Sequence, residues 1–156
     1  MFNYLFSTLI FIVVVNGCSV FVKTPEQTEK GKRVVCILYN ATGFKTDVVE
    51  LVSQSLTGKG CQVVSDDVNR AKYYSSSDYG AVVYMAEYWA WHIPRHAVKY
   101  FSRNKNSRNT LFVVTSGDPD VIITKPFDAV TSASNSDRVD PVSREIIEKL
   151  GRILKK

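Results

Sequence analysis

From residue 33 onward the chain alternates two hydrophobic rhythms. Residues 33–39 are almost wholly apolar, with Val34, Val35, Cys36, Ile37, Leu38 and Tyr39 in succession. An unbroken run rich in β-branched residues suits a strand covered on both faces, so it predicts a central parallel strand. The next apolar residues, Val48, Val49, Val52 and Leu56, fall three and four apart, and Gly58 and Gly60 follow them. That pattern predicts a helix over 46–56 with a glycine stop. A second strand starts at Cys61, a third covers 80–85 after the turn-like 75–79, and a fourth covers 110–114.

Between the third and fourth strands, Pro94 sits where a helical first turn tolerates it, and Ala97, Val98 and Phe101 give a core-facing stripe. Asp140 and Pro141 read as the N-cap and first turn of a terminal helix, with Val142, Ile146, Ile147, Leu150 and Leu154 on one side. Residues 117–135 are the least patterned, with a short strand in 128–131 as the one candidate. Strands alternating with helices predict an α/β domain, a parallel sheet joined by right-handed crossovers and covered on both faces.

The first 17 residues follow a different rule. They carry no charged side chain, and residues 9–15 are an apolar run too short to span a bilayer, which takes about 20 residues. Gly17 then precedes Cys18, which resembles the site where bacterial lipoprotein precursors are cut and the new N-terminal cysteine is acylated. The expected organisation is a lipoprotein signal at 1–17, a polar tether at 18–32 and one folded domain at 33–156, exported and held at the membrane through Cys18. A simple cleaved signal and an uncleaved anchor running through Val22 are the alternatives, and all three imply export.

Composition narrows the partners. Apolar residues make up 45% of the 156 and charged residues 22%, which excludes a disordered or low-complexity chain. The formal charge of +5 is modest, and no basic helix is interleaved with stacking aromatics, so nucleic acid is a poor fit. Beyond Cys18 only Cys36 and Cys61 remain; in parallel neighbouring strands their expected registers lie about 10 Å apart along the strand, which favours two thiols over a bridge.

In an open parallel sheet the ligand edge lies beyond the carboxyl ends of the strands, where strand order reverses. Three loops fall there. The first holds Asn40, Ala41, Thr42, Gly43, Phe44, Lys45 and Thr46 and runs straight into a helix, so its amides suit a phosphate; an ordinary turn capped by Thr46 is the plainer reading. Asn40, Ala41 and Thr42 also fit a glycosylation triplet. The second loop holds Glu87, Tyr88, Trp89, Trp91 and His92, with both tryptophans of the chain, and suits stacking on a planar ring or a surface contact patch. His92 and His96 lack the cysteine or carboxylate neighbours that a metal site needs. The third loop holds Thr115, Ser116, Gly117 and Asp118.

With these residues in place the chain resembles the flavodoxin-like family over 34–154. Thr42 and Gly43 before a helix resemble the family's phosphate loop, the segment from Asp78 to Val83 its third-strand entry, and Thr115 to Asp118 the loop after its fourth strand. The resemblance implies a three-layer sandwich with sheet order 2-1-3-4-5, the fifth strand short. It also implies bound FMN, with the phosphate on Thr42, Gly43, Phe44, Lys45 and Thr46, the isoalloxazine near Tyr88, Trp89 and Trp91, and its polar edge near Thr115, Ser116, Gly117 and Asp118. Lys45 and Ala41 depart from the hydroxyl-rich loop usual in the family.

The segment from Asp128 to Ser134 looks like the acceptor on which exported flavoproteins carry covalent FMN, which would put the phosphoester on Ser134; a plain loop or edge strand is the alternative. The implied function is an exported, membrane-anchored FMN protein that carries electrons to an unnamed redox partner or reduces a small acceptor. Its rival is a module of the same fold that uses the tryptophan loop on a partner or small ligand without flavin. Hydrolase chemistry finds no nucleophile-elbow pattern, metal spacing or paired catalytic carboxylates to support it.

Overall fold

A computed structural model describes residues 30–88, 92–104, 107–117 and 129–155. The elements run β1 (Gly31–Tyr39), α1 (Gly43–Gly58), β2 (Gln62–Asp67), two short 3-10 turns (Val68–Tyr73 and Ser76–Asp78), β3 (Tyr79–Tyr88), α2 (Arg95–Asn104), β4 (Thr110–Ser116), β5 (Ala129–Ala133), a 3-10 turn (Ser136–Arg138) and α3 (Val139–Leu154). The five strands form one sheet of order β2-β1-β3-β4-β5, and every neighbouring pair is parallel.

Strand alternation divides β1 between two cores. Val35 and Ile37 point to the face covered by α1 and α3, where they meet Val48, Val52, Leu56, Ile146 and Leu150. Val34, Cys36 and Leu38 point to the other face, against Val68, Ala71, Tyr74, Ala97, Tyr100 and Phe101. Each such buried aliphatic contributes about 1.5–3 kcal/mol relative to exposure, which explains why the central strand carries no polar residue between Val34 and Leu38.

The glycine stop of α1 has a defined geometry. Gly60 takes a left-handed φ of 76°, its N–H bonds to the Thr57 carbonyl at 2.9 Å, and the Cys61 N–H bonds to the Leu56 carbonyl at 3.0 Å. These two bonds close the last turn in a Schellman arrangement. At Gly80 the requirement is space: a Cβ there would lie 1.9 Å from the Lys32 carbonyl oxygen, so β1 and β3 approach too closely for any side chain.

Two helix expectations need correction. On α2 the buried residues are Ala97, Tyr100, Phe101 and Asn104, a one-sided set, whereas Val98 is 48% exposed. The helix start of α3 is Val139, with Arg138 in the N-cap position, because the turn at Ser136–Arg138 feeds directly into it. Asp140 therefore sits inside the first turn, where it still complements the helix dipole, and Pro141 occupies a position whose N–H needs no intrahelical acceptor. Cys36 pairs in register with Val64, three residues beyond Cys61, and both cysteines are free thiols. Burial pushes the Cys36 thiol well above its ordinary range.

Candidate functional site

The chain leaves β1 toward β2 on one side and returns to β3 on the other, so strand order reverses between β1 and β3. The crevice outside their carboxyl ends is where this architecture places a ligand. Thr42 takes the N-cap position of α1 in extended conformation, yet its side chain makes no capping hydrogen bond. The first turn carries no acidic residue. Ala41, Thr42 and Gly43 are exposed, as is Thr46, and a Cβ on Gly43 would meet nothing within 4 Å. The first amides of any helix lack intrahelical acceptors and carry the positive end of the dipole. This turn therefore presents its first amides openly at the positive end of a helix, and the N-cap position, expected at Thr46, is taken by Thr42, whose side chain does not cap it.

The next two residues turn inward. Phe44 is 9% exposed and packs into the core beneath α1. Lys45 is 1% exposed, and its ammonium donates to the Glu87 carboxylate at 2.6 Å and to the Asn40 side-chain oxygen. Asn40 closes the triangle by donating its Nδ2 to the same Glu87 oxygen at 2.9 Å. Burial pulls the Lys45 ammonium below its ordinary range, opposed by the hydrogen bond and charge of Glu87. Glu87 is held below the usual carboxylate range, first by the Asn40 hydrogen bond and then by Lys45. The lysine thus projects neither to solvent nor to the helix start; it clasps the loop after β1 to the end of β3.

Asn40 and Glu87 carry no such role in the sequence pattern. The signal for the clasp lies in periodicity: Lys45 precedes Val48, Val49, Val52 and Leu56 at helical spacing, so the rotation that buries them buries it too. A cation on an apolar stripe requires a partner.

Tyr88 and Ser116 end β3 and β4 side by side in register, as do Glu87 and Thr115. Thr115 and Ser116 are buried, Gly117 is exposed, and the Ser116 carbonyl accepts the Ser134 N–H at 2.9 Å. The structure therefore gathers Thr42, Gly43, Thr46, Tyr88, Thr115, Ser116 and Gly117 at one sheet edge, while Trp89, Trp91 and Asp118 lie outside the described residues, as do Cys18 and the export segment. Among the described residues no three His, Cys, Asp or Glu side chains group as metal ligands would, and no helix is long and apolar enough to cross a membrane.

No protein-family model matches the chain, and a comparison with curated proteins finds no match. Solved structures do match. The flavodiiron protein of Giardia intestinalis superposes with a TM-score of 0.57 at 10% identity, over 81% of this chain and 37% of its own. Rubredoxin oxygen:oxidoreductase of Desulfovibrio gigas gives 0.55 at 13% identity, over 84% and 38%. Oxidised flavodoxin 2 of Bacillus cereus gives 0.53 at 10% identity, over 76% of this chain and 97% of its own.

The fold is flavodoxin-like. The sheet order, the parallel pairing and the layers of helices agree with that assignment, including the short fifth strand. The chain spans under two fifths of the flavodiiron proteins it matches and nearly all of the flavodoxin. At these identities the likeness concerns architecture.

Proposed function

We propose that this chain is an extracytoplasmic, membrane-anchored flavodoxin-like protein that binds FMN and transfers electrons. The observation that carries the reading is the uncapped, exposed start of α1 at the switch point between β1 and β3. A phosphate dianion suits that turn: the first amides of α1 lack intrahelical acceptors, no first-turn carboxylate repels it, and Gly43 leaves open space for it. Thr42, Gly43 and Thr46 would hold the phosphate, with the backbone N–H groups of Phe44 and Lys45 beside them. Tyr88, with Trp89 and Trp91, would stack on the ring, and Thr115, Ser116, Gly117 and Asp118 would meet its polar edge. When bound, the flavin supplies one- or two-electron chemistry, and the protein sets its potential through stacking and nearby charge.

The export segment supports acylation at Cys18, and the polar residues after it give the domain room to clear the headgroups. A Cys18→Ser variant should lose lipid incorporation and leave the membrane fraction. One observation favours the rival module without flavin: the charge of Lys45, the cation within the loop itself, is spent on Glu87. Reconstitution separates the two. Purified chain mixed with FMN should quench its fluorescence and keep a flavin absorption band near ~450 nm through gel filtration. A colourless chain that leaves FMN fluorescence unchanged overturns flavin binding and favours the rival.

A further inference from the structure

The opposite face of the sheet carries a second concave site. β2 connects to β3 through two short 3-10 turns, so α2 packs beside a six-residue turn, Val68–Tyr73, and not beside a full helix. A cleft of about 350 Å³ remains between them. One wall presents Lys72 and Asn69; the other presents His96, Lys99 and Arg103. The last three follow one another at three and four residues, so they share one side of α2. Among the described residues no carboxylate lines the cleft. The neighbouring acids are engaged elsewhere: Asp66 accepts from the Tyr74 hydroxyl and from Arg70, and Asp67 caps the Asn69 N–H at 2.7 Å.

The walls are fixed relative to one another. The Arg103 guanidinium donates to the carbonyl oxygens of Ala71 at 2.8 Å, Lys72 at 3.0 Å and Tyr74 at 3.1 Å, and sits 5.3 Å from the centre of the Tyr100 ring. These acceptors are neutral, so the arginine staples the turn to α2 and, among the described residues, no carboxylate pairs with its charge. Lys72 and Lys99 stand exposed at the rim. Like charges gathered around a concave, partly apolar wall focus a positive potential that a small anion relieves.

We propose that this cleft binds a phosphate-monoester dianion, independently of the helix start at Gly43, from which the sheet separates it. Its volume is at the small end of the ~300–1,000 Å³ typical of ligand pockets, which favours a compact phosphorylated molecule over an extended acidic segment. Lys72 and Lys99 would supply the movable ammonium donors, and Arg103 a fixed charge.

The test is a residue-resolved NMR titration of the isotope-labelled full chain with inorganic phosphate and phenyl phosphate at constant ionic strength. The expected result is saturable shifts at residues 69–72 and 96–103, with or without separate shifts at residues 42–46. A Lys72→Gln, Lys99→Gln double variant should bind at least tenfold more weakly. A charge-matched Lys32→Gln, Lys59→Gln variant, changed at exposed positions elsewhere, should stay within twofold of the parent. Three results overturn the proposal: shifts that do not saturate, shifts confined to residues 42–46, or equal weakening in both double variants. Circular dichroism of each variant confirms that the fold is retained.

Discussion

The Lys45 ammonium lies 2.6 Å from the Glu87 carboxylate, tying the first turn of α1 to the last residues of β3 across the sheet's switch point. The two partners are not equivalent, since Lys45 is 1% exposed and Glu87 is 47% exposed at the side chain. Removing the carboxylate strands a buried ammonium on Asn40 alone, whereas removing the ammonium leaves a carboxylate that water can reach. Glu87→Ala should therefore cost about 2–3 kcal/mol, the low end for breaking a buried pair, because solvent screens one side. Lys45→Met, which keeps the volume and discards the buried charge, should change stability by less than about 1 kcal/mol in either direction. Urea unfolding of both variants checks the order, and equal losses would show that burial does not make the pair asymmetric.

The same pair sets an acid limit. Glu87 has a depressed folded value, so more protons bind the unfolded chain than the folded one between that value and the ordinary carboxylate range of about 4.3. Its contribution is complete above that range and disappears as pH falls through the folded value. The stability gap between parent and Glu87→Gln, measured by urea unfolding, should be constant from pH 7 to pH 5 and close below about pH 4. A gap that does not begin to close as pH falls below the ordinary carboxylate range would mean that Glu87 acts through packing and not through its charge.

Much of this architecture is written in periodicity. The apolar run before Tyr39 and the stripe through Leu56 specify a buried strand and its helix, and the alternation that follows specifies the parallel sheet. What escaped the pattern did so for local reasons. Val98 reads as core by hydrophobicity, yet Tyr100 and Asn104 take the inward positions, because tyrosine brings more apolar surface and Asn104 satisfies itself by donating to the Tyr100 carbonyl at 2.9 Å and accepting from Ser76 at 2.7 Å. The clasp escaped because Glu87 lies 42 residues beyond Lys45, and only the strand register brings it opposite the loop after β1.

Two glycines make opposite demands on the backbone. At Gly80 a methyl group would collide with the Lys32 carbonyl, main chain that moves only if β1 and β3 part. Gly80→Ala should cost about 2 kcal/mol or more. Gly151 lies inside α3, where an alanine methyl would find no atom within 4 Å, so Gly151→Ala should gain about 0.5–1 kcal/mol through helix propensity alone. Denaturation midpoints of the pair test the argument, and a neutral Gly80→Ala would show that the strands separate without strain.

The helix start at Gly43 allows stability and binding to be pulled apart. Gly43 has open space around it and lies in the first turn of α1, so an aspartate there fits sterically and complements the positive end of the helix. Gly43→Asp should leave the unfolding midpoint unchanged or raise it by a few tenths of a kcal/mol. The same carboxylate occupies the place proposed for the phosphate, where two like charges at contact distance repel strongly. FMN affinity should fall at least 100-fold, while riboflavin, which lacks the phosphate, should lose less than threefold. Equal losses for both flavins would place the phosphate elsewhere, and an unchanged FMN affinity would remove the start of α1 from the site altogether.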